Sequence, residues 1–186
     1  MAGVFVITGP SGVGKGTLIR GLRERLPQLE LSVSATTRRP RPGTRDGVDY
    51  HFLDDEGFDR LLAEGRFVEH ASYAGNRYGT LRSELDQRLQ RGVPVVLELE
   101  VQGARQLRQA QPDAVTVFIA PPSLDVLRAR LRARATDTEE QTESRLQTAA
   151  EELRSRTEFD YVVVNDRLEQ ATEQLVEIVQ AALGGI

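Results

Sequence analysis

The sequence predicts an α/β fold with a mainly parallel core sheet flanked by helices. Short apolar runs that fit strands recur along the 186 residues, and helical patterns fill most of the intervals between them. Strands that alternate with helices typically form a parallel sheet, because each helix carries the chain back to the edge where the strand began. The length suits one compact unit with a sizeable core and room for inserted lobes.

The first predicted strand, residues 4–8, leads through a glycine-rich stretch into a helical pattern over residues 18–26. Gly9, Gly12 and Gly14 allow backbone conformations that other residues avoid. The strand before them and the helix after them direct backbone N–H groups and the helix N-terminus at one point, which suits a polyphosphate. The stretch matches the pattern G-x-x-x-x-G-K, which is fairly specific between a strand and a helix.

Lys15 is the only lysine among 24 basic residues, and it closes this glycine-rich stretch. Its compact, mobile ammonium group can reach the β- and γ-phosphates of a nucleotide, whereas the broad planar fork of arginine is a poor substitute there. The residue after the lysine is usually a Ser or Thr that binds Mg²⁺, but here it is Gly16. Thr17 is therefore the predicted hydroxyl ligand of the metal.

The remaining elements follow in chain order. Further strands are predicted at residues 31–36, 67–73, 95–100, 115–120 and 161–165, and further helices at residues 81–90 and 168–183. The last helix carries Leu175, Ile178, Val179 and Ala182 on one stripe, which would cover the sheet. Residues 36–50 instead carry four arginines among prolines and glycines, and they predict a basic loop.

Residues 128–146 are strongly charged and predict a helical hairpin. Arg130 and Arg134 lie four residues apart and share one face of its first helix. Thr136, with Glu139 three residues later, predicts a capping box that starts the second helix. Taken alone, the hairpin could equally be a solvated surface.

Composition excludes several classes of function. The net charge of -4 argues against a general nucleic-acid binder, which would present a broad basic face. The absence of cysteine excludes a disulfide framework, a thiolate metal site and cysteine redox chemistry, and it fits a reducing cytoplasm. Neither a signal peptide nor a membrane span is evident. We therefore expect a cytoplasmic protein that binds neither nucleic acid nor membrane.

A phosphate-binding loop alone does not distinguish a GTPase, an ATP-driven motor and a small-molecule kinase. Over nearly its whole length, however, the chain resembles the guanylate kinase family, and the order and spacing of the matching segments are highly specific. These segments are GPSGVGKGT, SVSATTRRPRPGTRDGVDYHF, FVEHASYAGNRYGT, LELEVQGA, IAPPSLDVLRARLRARATDTEEQTESRL and DYVVVND.

The resemblance implies the nucleoside-monophosphate kinase variant of the P-loop fold. It implies ATP-dependent phosphorylation of GMP, and of dGMP, by direct in-line transfer in guanine nucleotide biosynthesis and salvage. It divides the chain into core segments (1–31, 82–121 and 158–186), a GMP-binding lobe (32–81) and a lid (122–157). ATP and GMP are then the expected partners, and both a monomer and a homo-oligomer remain open.

The family pattern also implies the residues of the GMP site. It assigns the GMP phosphate to Arg38, Arg41, Tyr50 and Tyr78, and the guanine to Ser34, Glu69 and Thr80. It places Glu100 in the GMP site, at a position associated with the guanine amino group or the metal region. Arginine forks match phosphate oxygens, and tyrosyl hydroxyls donate without adding charge. A carboxylate can accept from guanine N1 and N2 while hydroxyls donate to O6. Adenine instead has a lone pair at N1, which would face that carboxylate and be repelled by it. At Glu98 and Glu100 the family commonly has Asp, so both side chains are one methylene longer here.

For ATP, the resemblance implies a site formed by the loop and one strand end, with Mg²⁺ bound alongside the nucleotide. The residues are Gly9, Pro10, Ser11, Gly12, Val13, Gly14, Lys15, Gly16 and Thr17, together with Asn165 near the adenine. The catalytic assignment comprises Lys15, Arg38 and three lid arginines, Arg130, Arg134 and Arg145. In the lid, Ala135 and Thr142 stand where Gly and a larger apolar residue are commoner.

No general base is predicted. The GMP phosphate already presents an anionic oxygen at neutral pH, because the second pKa of a phosphate ester is about 6. His51 and His70 are therefore expected to pack or to face solvent. The reaction instead needs alignment of two anions and stabilisation of charge on the transferred phosphoryl group.

Two other classes share parts of this pattern. Guanylate-kinase-like domains also act as protein-binding modules in scaffold proteins, but such a module would show a damaged phosphate loop and neighbouring interaction domains. This chain shows neither. A GTPase switch would carry an NKxD-type motif that reads the base, and the solitary Lys15 excludes one. The sequence therefore favours the enzyme.

Overall fold

The computed structural model describes residues 3–73, 75–133 and 138–184. Its strands are β1 (Val4–Thr8), β2 (Glu30–Leu31), β3 (Ala35–Thr36), β4 (His51–Phe52), β5 (Phe67–Tyr73), β6 (Asn76–Leu81), β7 (Val95–Glu98), β8 (Val115–Ala120) and β9 (Tyr161–Val164). Its α-helices are α1 (Lys15–Arg25), α2 (Asp55–Ala63), α3 (Arg82–Gln90), α4 (Val101–Ala110), α5 (Leu124–Ala133), α6 (Glu139–Arg154) and α7 (Leu168–Gly184). The predicted roles of Arg134, Ala135 and Thr136 lie outside the described residues.

The core sheet has the strand order β2-β7-β1-β8-β9, and every neighbouring pair is parallel. The predicted parallel sheet flanked by helices is therefore confirmed. β1 lies at its centre, and its residues alternate between two faces. Phe5 and Ile7 pack with α1 and α7, whereas Val4 and Val6 pack with α3 and α4. Because helices cover both faces, the strands are continuous apolar runs.

A second sheet of four strands, in the order β4-β3-β6-β5, lies within residues 35–81. β6 pairs antiparallel with both β3 and β5, and β3 pairs parallel with β4. α2 packs on this sheet through Phe58, whose ring stacks on Phe67 with 4.5 Å between the ring centroids. The basic loop predicted at residues 36–50 connects β3 to β4 and contains no helix or strand beyond its first residue.

The predicted strand at residues 31–36 is wrong as a single element. Glu30–Leu31 pairs with β7 in the core sheet, while Ala35–Thr36 pairs with β4 and β6 in the second sheet. An apolar pattern records which side chains are buried, not which strand lies alongside. The sequence analysis also did not locate β4, β6, α2 and α4. β4 is only two residues long, and β6 consists mostly of polar residues and glycine.

The charged hairpin consists of α5 and α6, which pack through Leu127, Leu131, Leu146 and Ala149. Its second helix begins with a capping box two residues later than predicted. The Oγ1 atom of Thr138 accepts from the Gln141 backbone N–H at 3.2 Å, and Gln141 Oε1 accepts from the Thr138 N–H at 2.9 Å. Glu139, predicted as the end of the box, is instead the first helical residue. Buried Thr142 satisfies its hydroxyl by donating to Thr138 O at 3.1 Å.

A membrane-spanning helix is absent from the described part of the chain, where every helix is too short or too polar for that role.

Candidate active site

A polar cleft of about 510 Å³ opens where β1 and β7 end, between the core sheet and the second sheet. Crevices at the carboxyl ends of parallel strands are the usual ligand sites of α/β folds. Of the residues predicted for substrates, the cleft is lined by Ser11, Gly12, Gly14, Lys15, Gly16, Thr17, Ser34, Arg38, Tyr50, Glu69, Tyr78 and Glu100. Arg20, Ser32, Asp49 and Tyr73 line it as well, and the sequence analysis assigned none of them a role.

The phosphate loop requires glycine for conformation and for space. Gly9, Gly12 and Gly14 all have positive φ angles, of 136°, 84° and 102°. A Cβ atom on Gly9 would lie 2.2 Å from the backbone oxygen of Ile119 in β8, so no larger residue fits there. No side chain among the described residues caps α1, which begins at Lys15. Its first N–H groups are therefore available to an anion.

Lys15 is held inside this loop. Its side chain is 7% exposed, and Nζ donates to Gly9 O at 2.6 Å and to Pro10 O at 3.3 Å. Two carbonyl oxygens therefore hold the ammonium group at the place where the uncapped helix faces the cleft. An incoming phosphate can replace these neutral acceptors with charged ones, which form stronger hydrogen bonds to an ammonium group.

Thr17, the third residue of α1, opens on the same cleft. Mg²⁺ prefers oxygen ligands, retains several waters and is commonly held by few protein groups together with nucleotide phosphates. One hydroxyl beside the phosphate loop fits that mode of binding. A Cβ atom on Gly16 would lie 3.6 Å from Glu98 Oε2, an ordinary contact, so sterics do not explain the glycine there.

Across the cleft, Glu69 of β5 is only 3% exposed. Thr80, its partner in β6, donates from Oγ1 to Glu69 Oε1 at 2.7 Å. Burial raises the pKa of Glu69, and the hydrogen bonds from Thr80 lower it in part. On the other side, a Cβ atom on Gly103 of α4 would lie 2.4 Å from Glu69 Oε2. Gly103 thus makes room for this carboxylate, a role that the sequence analysis missed.

We expect Gly103→Ala to weaken the use of GMP by about tenfold in kcat/KM, mainly through KM. The new methyl group would displace the Glu69 carboxylate, and a misplaced binding group of this kind commonly costs that much or more. Steady-state kinetics with varied GMP would measure the loss. Gly184→Ala is a matched control, since a Cβ atom there meets nothing within 4 Å. Equal GMP kinetics in the two variants would contradict the role of Gly103.

Arg38, Tyr50 and Tyr78 form a second group on the opposite wall of the cleft. This wall belongs to the second lobe, a name used here for the second sheet together with α2 and the loop between β3 and β4. The Arg38 guanidinium carbon lies 4.9 Å from the centroid of the Tyr50 ring, and the Tyr50 and Tyr78 rings meet edge to face at 6.2 Å. Arg38 Nε is buried and has no partner among the described residues. Burial raises the pKa of Tyr50 more than the Arg38 charge lowers it, so the phenol stays protonated and can donate. Arg41 is exposed and outside the cleft lining.

Two carboxylates line the cleft at the end of β7: Glu98 is the last residue of the strand, and Glu100 lies two residues further on. Glu98 is exposed to solvent through the cleft, but the cleft walls partly desolvate its carboxyl group, and this desolvation raises its pKa. The Lys15 charge lowers that pKa, and the Glu100 charge raises it further. Glu100 occupies the N-cap position of α4, but its side chain makes no cap hydrogen bond. Its Oε2 atom is buried without a hydrogen-bond partner among the described residues.

On the donor side, Arg130 of α5 reaches the phosphate loop. It donates to Asn165 O at 2.8 Å and to Val13 O at 3.4 Å, while Asn165 Nδ2 donates to Val13 O at 2.8 Å. Arg145 lies on α6 and lines, together with Ser11 of the loop, a cavity of about 380 Å³ beside the cleft. The structure therefore brings Arg130 into contact with the loop and brings Arg145 to a cavity that the loop also lines.

The same cavity contains a carboxyl group that the sequence analysis missed. Glu152 lies near the end of α6, seven residues after Arg145, and it is half-buried. Burial and the negative charge of Glu100 raise the pKa of Glu152 to about 7, although Lys15 lowers it. Within its charged helix, nothing in the sequence separates Glu152 from the neighbouring Glu151.

A phosphate-binding loop, and a second lobe that adds an arginine and a buried carboxylate to the same cleft, define a small-molecule kinase of the P-loop class. The guanylate kinase family model matches residues 1–182. The chain belongs to the guanylate kinase family, as its sequence predicted.

Named relatives agree with this assignment. The guanylate kinase of Rubrobacter xylanophilus is 50% identical over 182 residues, which cover 98% of this chain and 95% of that protein. That of Frankia casuarinae is 52% identical over 176 residues, 95% and 96% of the two chains. The crystal structure of guanylate kinase from Anaplasma phagocytophilum superposes with a TM-score of 0.79 at 34% identity, covering 97% of this chain and 85% of that one.

Proposed function

We propose that this cleft transfers the γ-phosphoryl group of ATP to GMP, giving ADP and GDP, and that dGMP is also accepted. One observation carries the proposal: the buried pair of Glu69 and Thr80 lies in the second lobe, across a single cleft from Lys15 and the phosphate loop. A base-reading group and a phosphate-binding loop that face each other suit a nucleotide acceptor and a nucleotide donor. Family membership supports the same reaction.

On the donor side, the loop N–H groups and the N-terminus of α1 hold the phosphates of ATP. Lys15 exchanges Gly9 O and Pro10 O for oxygens of the β- and γ-phosphates. Mg²⁺ bound with ATP, with Thr17 as its protein ligand, would neutralise charge on these phosphates. Asn165, which donates to Val13 O of the loop, is assigned to the adenine by the family pattern.

On the acceptor side, Glu69 accepts from guanine N1 and N2, and the Ser34 hydroxyl donates toward O6. The Thr80 hydroxyl, for which a bond to O6 was also predicted, donates to Glu69 Oε1 and holds that carboxylate in place. The GMP phosphate lies against Arg38, Tyr50 and Tyr78, with Arg41 moving in from the basic loop. Arg38 Nε and the protonated Tyr50 hydroxyl are donors that suit this anion. These groups hold the attacking phosphate oxygen in place, and none of them acts as a general base.

Neither histidine has a place in this mechanism. His51 Nε2 lies 3.1 Å from Glu84 Oε1 in α3, and His70 is exposed on β5. Neither lines the cleft. The GMP phosphate itself supplies the anionic oxygen, because its second pKa is about 6.

The lid completes the site by closing. Arg130 already contacts the loop, whereas Arg145 must approach it, and Arg134 is assigned by the family pattern alone. Closure brings these cations to the transferred phosphoryl group and excludes water. The GMP-binding lobe at 32–81, the lid at 122–157 and a cytoplasmic location stay predictions.

We expect rapid formation of ADP from ATP only when GMP or dGMP is present. A closed site needs both substrates, so with no acceptor the release of ADP should be at least about a hundredfold slower. A coupled assay of ADP release across the common nucleoside monophosphates, and without any, measures this. ADP release at the same rate with and without GMP would refute acceptor-dependent closure, and no ADP with any acceptor would favour a binding module.

A further inference from the structure

The phosphate loop is anchored by hydrogen bonds near both of its ends. Near its beginning, Lys15 Nζ donates to Gly9 O at 2.6 Å. Near its end, Asn165 Nδ2 donates to Val13 O at 2.8 Å, and the Val13 side chain is fully buried in the core. The shape of the loop between these anchors, around Gly12, therefore depends on other contacts.

Gly12 is the part of the loop with the greatest conformational freedom. Its φ angle of 84° lies in a region that glycine enters without strain, but glycine can leave that region equally easily. The Gly12 backbone makes no hydrogen bond with the backbone of any other residue that the structure describes. Gly12 also lines the substrate cleft. Because such loops bind phosphate through converging backbone N–H groups, a change in the conformation of Gly12 would alter the phosphate site.

Leu131 of α5 packs directly on Gly12. A Cβ atom on Gly12 would lie 2.5 Å from Leu131 Cδ2 and 3.2 Å from Leu131 Cγ. The next nearest atom, Leu127 Cδ1, would lie 3.6 Å away. Leu131 thus occupies the space that a side chain at position 12 would fill, and the first helix of the lid hairpin rests on the phosphate loop.

Other contacts hold α5 in this position. Arg130, the residue before Leu131, donates to Asn165 O at 2.8 Å and to Val13 O at 3.4 Å. Leu131 itself is fully buried, in a cluster that includes Leu146 of α6. A buried side chain in close-packed surroundings resists displacement. Leu131 is therefore a firm support for the loop.

We propose that Leu131 is a positioning residue for ATP, which keeps Gly12 in the conformation that binds the donor phosphates. Leu131 touches no substrate and acts through Gly12. The inference rests on the proposed function, because it requires that ATP bind at the loop. Without this contact only a fraction of the protein would hold a competent loop, and the apparent Kd for ATP would rise by the inverse of that fraction.

The test compares wild type, Leu131→Ala and Leu146→Ala by calorimetric titration with ATP and Mg²⁺, without GMP. Both substitutions remove a leucine from the same cluster, so both should lower the temperature of thermal unfolding. We expect Leu131→Ala to weaken ATP binding about tenfold, as a misplaced binding group commonly does. Leu146→Ala should bind ATP as wild type does. GMP, which binds against the second lobe, is an internal control and should bind equally to all three proteins.

Two more variants separate support of the loop from general stability. Leu131→Met keeps a flexible side chain of similar volume against Gly12 and should restore ATP binding. Leu131→Val lacks the Cδ2 atom that lies nearest Gly12. It should weaken ATP binding by a smaller factor than Leu131→Ala, and it replaces that variant if Leu131→Ala does not fold.

The possible outcomes are distinct. ATP binding that is unchanged by loss of the Leu131 contact, equally weakened in Leu146→Ala, or not restored in Leu131→Met would overturn the positioning role alone. Failure of wild type to bind ATP would instead refute the proposed function.

Discussion

Lys15→Ala is expected to fold normally and to lose at least about a hundredfold in kcat. The mutation removes the one cation that the phosphate loop itself contributes, and loss of a preorganised charge-stabilising donor typically slows a reaction by that factor. The fold should persist because Lys15 Nζ holds only Gly9 O and Pro10 O, which water can satisfy once the side chain is shortened. Steady-state turnover and thermal unfolding would measure the two effects separately.

Two further variants define the role of Lys15. Lys15→Arg keeps the positive charge but replaces a compact ammonium group with a broad fork, in a site where the side chain is only 7% exposed. We expect it to remain severely impaired. Arg23→Ala removes a cation from the same helix outside the cleft, and it should leave turnover unchanged. Near-normal turnover by folded Lys15→Ala would contradict the proposed role of the loop.

The second large effect concerns the choice of base. Wild type should use GMP and reject AMP by roughly 10⁴-fold, because adenine presents a lone pair at N1 to the buried Glu69 carboxylate. Glu69→Gln keeps the shape but replaces one acceptor oxygen with a donor. The kcat/KM for GMP should then fall by an amount equal to about 2 to 3 kcal/mol.

Structure explains why Glu69→Gln cannot adapt easily. Glu69 is 3% exposed, Thr80 donates to one of its oxygens and Gly103 lies against the other. The glutamine amide has one acceptor oxygen where the glutamate had two. In either orientation of the amide, an N–H donor therefore replaces one of the two acceptors. The KM for ATP is an internal control and should barely change. Equal use of GMP and AMP by wild type, or unchanged GMP efficiency in the variant, would refute this assignment of the guanine site.

Local features of the active site were predictable from the sequence. The phosphate loop depends on glycine conformations and on a strand-to-helix junction that a short segment encodes by itself. The parallel sheet follows from alternating apolar runs, and α7 from its stripe around Leu175. The family resemblance then assigned residues such as Glu69 and Arg38, and the structure brings both to one cleft.

Elements that depend on distant partners were not predictable in this way. The capping box was predicted at Thr136 and is observed at Thr138, because Gln141 as well as Glu139 stands three residues after a threonine and both pairs satisfy the sequence pattern. Asn165 also depends on distant contacts, because both Val13 and Arg130 hold it. A periodic pattern of apolar residues records neither the residue at which a helix begins nor the distant residues that a side chain contacts.

The sequence by itself determined the fold class, the phosphate loop with its single lysine, and the family of the chain, because these depend on local conformation and on the order of residues. Only the tertiary structure decided that residues 30–36 divide between two sheets, that Gly103 makes room for Glu69, and that burial raises the pKa of Glu152. The physical reason is that burial, steric room and the pKa of a carboxyl group depend on atoms brought together from distant parts of the chain.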